Sequence, residues 1–131
     1  MHGFEDVTLS WQGAQYVVPA NRQLMLIAKI EDALSAEGTE QAISVLFRRE
    51  GPPHSRLAGA FGAALRFAGA KVTDEDIYLA IQSDIAQKSP ADVALALQVM
   101  VFSVISIISP PAARMISGEA DAAEGLSEKK A

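Results

Sequence analysis

Val93–Ser109 reads VALALQVMVFSVISIIS, and no charged side chain interrupts it. Gln98 and three serines are its only polar positions. Ser89 and Pro90 before it have the form of a helix start, with Ser as N-cap, Pro at the first helical position and Asp92 at the third. Pro110-Pro111 closes the run, because two successive prolines cannot continue a helix. A helix that is apolar on every side has to be buried all round, in its own core, against a partner or in lipid. The choice among these three decides both the fold and the function.

Lipid is the weakest of the three. A spanning helix needs about 20 apolar residues, and this run is shorter, bounded by Asp92 and Pro110. No cluster of Lys or Arg flanks either end to fix an orientation. Trp11 is far away in sequence, and no Trp or Tyr sits beside the run to form an interfacial belt. The expectation is burial in protein, with no membrane span.

The chain has 131 residues, which suits one domain large enough for a real core. Half of its residues are hydrophobic but only 6% are aromatic, and Ala is abundant, as in a helical protein whose helices approach closely. There is no Cys, which excludes disulfides and thiolate chemistry. The opening MHGFEDVTL lacks the basic, apolar, small-residue order of a signal peptide. A net charge of −5 argues against a nucleic-acid surface. The expected location is the cytoplasm.

Val7–Val18, VTLSWQGAQYVV, reads as a hairpin around a two-residue Gln12-Gly13 turn. Trp11 then faces Ala14, Leu9 faces Tyr16 and Val7 faces Val18, all six on one face, with Thr8, Ser10, Gln15 and Val17 on the other. A lone hairpin is marginal in water, so this apolar face should dock on helices. After Pro19, Asn21 is the expected cap of a first helix whose inner residues are Leu26, Ile27, Ile30, Ala33 and Leu34, with Gly38 as its stop. Thr39 is the expected cap of a short second helix with Ala42, Ile43, Leu46 and Phe47 on one side, ended by Arg48, Arg49 and Glu50.

A third helix over about 55–68 carries the clearest stripe: Leu57, Ala60, Phe61, Ala64, Leu65 and Ala68. Gly59, Gly62 and Ala63 thin its neighbouring face for a close approach, and Gly69 stops it. Thr73 with Asp74, Glu75 and Asp76 opens a fourth helix as a cap followed by acids at the positive dipole end. Ile77, Ala80, Ile81 and Ile85 are its inner side. The apolar run is the fifth. The expected architecture is mainly α (α+β): a single domain over 1–116, an N-terminal β-hairpin (7–18) on a bundle of about five helices, then a flexible acidic and polar tail over 117–131.

Catalytic and metal chemistry find no support in these residues. His2 and His54 are too few and too isolated for a metal site. His54-Ser55 lacks the orienting third group of a catalytic pair, and Ser55 reads more simply as a helix cap. Asp74, Glu75 and Asp76 are the acids a helix dipole favours, with no calcium-loop spacing after them. Arg48 and Arg49 read as a solvated helix end rather than an anion site. Gly59 and Gly62 follow no strand, so they form no nucleotide fingerprint. No enzyme and no cofactor is expected.

Two blocks carry a family resemblance. LSWQGAQYVVPANRQLMLIAKIEDAL gives a strand pair with a Gly turn and then a helix ending in the acidic pair Glu31-Asp32. LAGAFGAALRFAGAKVTDEDIYLAI gives a small-residue helix, a Gly, and Val-Thr-Asp-Glu opening the next helix. Together they cover roughly residues 8–35 and 57–81. In order and texture they resemble the tail assembly chaperones of long-tailed bacteriophages and gene transfer agents.

The resemblance implies a non-enzymatic protein of the host cytoplasm, absent from the mature virion. Such a protein binds the tape-measure protein, keeps it soluble and helps the major tail tube protein assemble around it. It also implies, as in many members of the family, a frameshift-extended product, with the polar tail as linker and Lys129-Lys130 encoded by a slippery string. The alternative is a small structural component of the phage tail or connector, which would be recovered in purified particles.

The chain suits such a partner on physical grounds too. A long helical protein with apolar seams needs an apolar, helix-in-groove contact, and acidic charge elsewhere keeps the complex soluble. Leu97, Met100, Val101, Val104 and Ile108 form one stripe of the fifth helix and are the proposed protein-binding residues, toward the tape-measure protein or a second copy in a homo-oligomer. Val99, Phe102, Ile105 and Ile107 cannot all face the same way as that stripe. Whether the run is core or interface stays open between two readings, and a charge at Val101 or Val104 separates them.

Overall fold

A computed structural model describes residues 4–35, 41–49 and 51–117. The protein is mainly helical, with a two-stranded antiparallel hairpin at its N-terminus. Strands β1 (Val7–Trp11) and β2 (Ala14–Val18) pair in the expected register, Val7 with Val18, Leu9 with Tyr16 and Trp11 with Ala14. Gln12 and Gly13 both take positive φ (49° and 82°), as a primed two-residue turn requires. Leu9 and Val18 are fully buried, while Thr8, Ser10, Gln15 and Val17 face outward. Trp11 meets Phe61 of a helix at 6.2 Å between ring centroids, tilted by 59°, and this contact helps dock the hairpin.

The chain enters α1 (Gln23–Leu34) through a 3-10 turn, Ala20–Arg22. Asn21 lies inside that turn and caps nothing; the N-cap position is Pro19. Asp6, at the foot of β1, supplies the missing acceptor and takes the Ala20 N–H at 2.8 Å. The Gln23 amide, fully buried, donates to the Glu5 carbonyl, which ties α1 to the segment before β1. Both partners come from far along the chain, so no local cap signal reveals them. Leu26, Ile30 and Leu34 are buried, with Ile27 and Ala33 half-buried beside them. Gly38 and Thr39 lie outside the described residues, as does Glu50.

Helix α2 (Ala42–Leu46) follows Gln41 as its N-cap residue, with no side-chain cap. It buries Ala42, Val45 and Leu46. Val45 therefore takes the inward position expected of Phe47, which closes the helix and is 51% exposed.

Helix α3 (His54–Phe67) is the centre of the bundle and packs on α1, α4 and α5. Its stripe is buried from Leu57 to Leu65, with Ala58 and Gly62 added and Ala68 half-buried beyond the helix end. Ser55 is not the cap: the N-cap position is Pro53, and His54 and Ser55 are already helical. Gly69 (φ 102°) ends the helix in a Schellman turn, with Ala70 N–H donating to the Leu65 carbonyl at 2.9 Å and Gly69 N–H to Arg66 at 3.1 Å.

Helix α4 (Asp74–Gln87) opens on a reciprocal capping box between Thr73 and Asp76, at 2.9 and 3.0 Å. Ile77 and Ile81 are buried and Ala80 is half-buried, but Ile85 is 43% exposed because the last turn runs past the core.

Helix α5 (Pro90–Ile108) begins as expected: Ser89 accepts the Asp92 N–H at 3.2 Å and Pro90 stands at the start. The proline pair at its end does two jobs. It stops α5, and it also opens a further helix, α6 (110–117), which extends the bundle past the expected five. Ser109 caps both, donating its N–H to the Ile105 carbonyl at 2.8 Å and accepting the Ala113 N–H on its own carbonyl at 3.1 Å. Its hydroxyl also lies 3.4 Å from the Ala112 N–H. Ser117, expected in the tail, is still helical, and residues 118–131 lie outside the described ones.

Candidate functional site

All-round burial is not what α5 finds in this chain. Its buried residues are Val104, Ile105 and Ile107, all in the last two turns, which pack among α1, α3 and β1. From Pro90 to Ser103 no side chain is buried. At 1.5 Å per residue α5 is about 28 Å long, and the 14-residue α3 about 21 Å, so neighbours of that length cannot cover it end to end.

The two faces of the helix separate clearly. Leu97, Met100, Val101 and Ile108 are half-buried against the core and Val104 is fully buried. The stripe proposed for protein binding is therefore the inward one. The outward face carries Leu95 (62% exposed), Val99 (58%) and Phe102 (37%), spaced i, i+4, i+7. The spacing defines the first stripe but neither its orientation nor the Leu95–Val99–Phe102 face opposite, because no charge within Val93–Ser109 marks the solvent side.

The two serines inside α5 are satisfied by the helix itself. Ser103 and Ser106 donate their hydroxyls to the Val99 and Phe102 carbonyls one turn back, at 2.9 and 2.8 Å. Around Phe102 the surface is concave on both sides. One groove, about 670 Å³, is floored by Leu46, Leu57, Leu97, Val101 and Ile105 and flanked by Phe47, Arg48 and Arg49. The other, about 550 Å³, lies between α5, α6 and the foot of β1, with Glu5, Asp6 and Arg114 in its wall. Arg114 and Glu5 form an exposed ion pair at 3.7 Å across that wall.

The other sequence candidates gather no chemistry around them. The His54 ring contacts Gln82 of α4 at 3.3 Å, a link between two helices. Asp74 pairs with Arg66 at 2.8 Å and Asp76 closes the capping box, so two of the three acids are occupied in structural roles. Among the described residues no group of three or more His, Asp or Glu side chains could hold a metal ion.

One helix among the described residues, α5, is long and apolar enough to cross a membrane by length and composition alone, with a mean hydropathy of 2.2 and 17% of that window buried. Its last turns are built into the bundle core. Compared with known proteins, the chain matches no family model, no curated protein and no solved structure.

Proposed function

We propose that the protein is a non-enzymatic assembly chaperone that holds an aggregation-prone helical partner through the uncovered face of α5. The single observation that carries this reading is the exposure of Leu95, Val99 and Phe102 on a helix with no charge from Val93 to Ser109. Exposed apolar surface of this kind, continuous with grooves, is what a partner contact needs. The net charge of −5 keeps a protein bearing such a face dispersed.

The particular partner follows from the resemblance of the two blocks, roughly 8–35 and 57–81, to phage tail assembly chaperones. The partner is then the tape-measure protein, bound in the host cytoplasm before the tube closes around it, and the chaperone leaves before the virion is complete. The outward face of α5 replaces the stripe of Leu97, Met100, Val101, Val104 and Ile108 as the principal contact. Leu97 and Val101 keep a part in it, as the floor of the larger groove.

Co-expression tests the reading. The tape-measure protein of the same genome is produced alone and with this chain, and its soluble yield is measured. The expected result is a several-fold rise in soluble yield with co-purification of the two. Unchanged yield, together with recovery of this chain in purified particles, would replace the chaperone with a structural tail component.

A further inference from the structure

We infer that α6 is a strap across the docking face of α5: it divides one apolar groove into two, and its release opens the whole groove to a partner. The inference rests on the reading of α5 as a docking helix and adds a device that controls access to it.

The two hollows beside Phe102 share α6 as a wall. Ile116 lines the groove of about 670 Å³, and Ala113, Arg114 and Ser117 line the one of about 550 Å³. Phe102 lines both. The short helix therefore stands between them, beside the exposed ring, and the hollows join over Phe102 once it moves aside.

Little holds α6 in that place. It has eight residues, below the roughly 12–15 at which an isolated helix becomes even marginal in water, so it stays helical through its contacts with the bundle. Beyond the buried Pro110 at its start, those contacts are Ala112, Ala113 and Ile116, and the one larger side chain among them is itself only half-buried. Burial stabilises in proportion to apolar area, and two alanines supply little of it. Met115 points away and is 67% exposed. The remaining tie is the Arg114–Glu5 ion pair at 3.7 Å. Both of its side chains are more than half exposed, and such a pair adds little.

Ser109 supplies the hinge. It is the one residue between α5 and α6 outside a helix, with φ −148° and ψ 79°. Rotation there carries α6 as a unit, because Pro110 and Pro111 fix the φ angles next to it. Elements so lightly packed open ahead of the whole fold. A partner that needs the joined groove binds the open form, so its affinity is lowered by the closed fraction.

The full chain has no cysteine, so Glu5→Cys with Arg114→Cys can be bridged by a short bis-maleimide to clamp α6 shut. Ile116→Ser and, at an exposed position, Arg114→Glu loosen it. Hydrogen exchange reads the strap directly: amides of 113–117 should exchange about 100-fold faster than those of 60–65 in α3, and clamping should slow them. The probe for access is one designed amphipathic helical peptide with a leucine stripe, followed by fluorescence anisotropy. It should bind about fivefold more tightly to both loosened variants and about fivefold more weakly to the clamped chain, with thermal midpoints near that of the parent protein.

Exchange at 113–117 as slow as in α3, or one affinity across the clamped, parent and loosened chains, would overturn the inference. So would binding of the peptide to none of them. Failure of the chaperone reading shows separately: the peptide then follows the expected order while the tape-measure protein of the same genome is not captured.

Discussion

Gly62 of α3 lies against Asp74 of α4 so closely that a β-carbon on the glycine would overlap the carboxylate. The same imagined carbon would stand 3.1 Å from the Cδ1 of Ile77, a fully buried residue. The α3–α4 crossing is thus set by an absent side chain, and Arg66 closes over it with a 2.8 Å ion pair to Asp74. Gly59, one turn earlier, has only ordinary contacts, the nearest being Ala33 of α1 at 3.4 Å.

These two glycines are expected to respond with opposite sign to the same substitution. Gly59→Ala should stabilise by about 0.5–1 kcal/mol, the gain in helix propensity. Gly62→Ala should destabilise by about 1–2 kcal/mol, because overpacking against Ile77 outweighs that gain. Urea denaturation of both variants measures the difference. A stabilised Gly62→Ala would mean that α3 and α4 cross more loosely than described.

The hairpin turn is not at its optimum. Gln12 holds φ of 49° in a turn that favours Asn followed by Gly. Gln12→Asn should raise stability by roughly 0.5 kcal/mol, since Asn tolerates the left-handed region better than Gln. Thermal melts would register this as a rise of a few degrees; an unchanged or lower midpoint would argue for a different turn.

Removing the α4 cap should cost more. Thr73→Ala deletes the acceptor for the Asp76 N–H and half of a reciprocal box, a loss of about 1 kcal/mol. Asp76→Ala should cost a similar amount, and the double variant less than the sum, because the two act as one unit. Strict additivity in denaturant melts would show that the box does not form in solution.

Val99 and Val104 stand on the same helix with opposite surroundings, 58% and 0% exposed. Val104→Asp buries an unpaired charge, which costs several kcal/mol and should abolish cooperative unfolding. Val99→Glu should stay within about 0.5 kcal/mol of the parent protein. Circular dichroism melts separate the two, and loss of folding in both would place the outer face of α5 in the core.

Local chemistry made much of this fold legible from sequence. The Gln12-Gly13 turn, the Thr73 box, the Gly69 stop and the Ser89-Pro90 start each carry their signal within a few residues. The Asp6 contact to Ala20 does not, since it joins positions 14 residues apart. Val45 displaced Phe47 inside α2 because a helix of five residues holds too little periodicity to fix its phase. Two prolines after Ser109 could be read as a stop but equally begin α6, where their missing N–H groups go unneeded. For α5, the apolar run told that something must cover it, and uniform hydrophobicity hid which side the core already covers.

The most direct measurement is capture of the tape-measure protein by the full chain and by Leu95→Glu, Val99→Glu and the double variant, each first checked for an unchanged thermal midpoint. Charges on the outward face of α5 should cut captured partner by about tenfold or more in the double variant, while the variant itself stays folded and soluble. Undiminished capture by a folded double variant would contradict the assignment of this face as the docking surface.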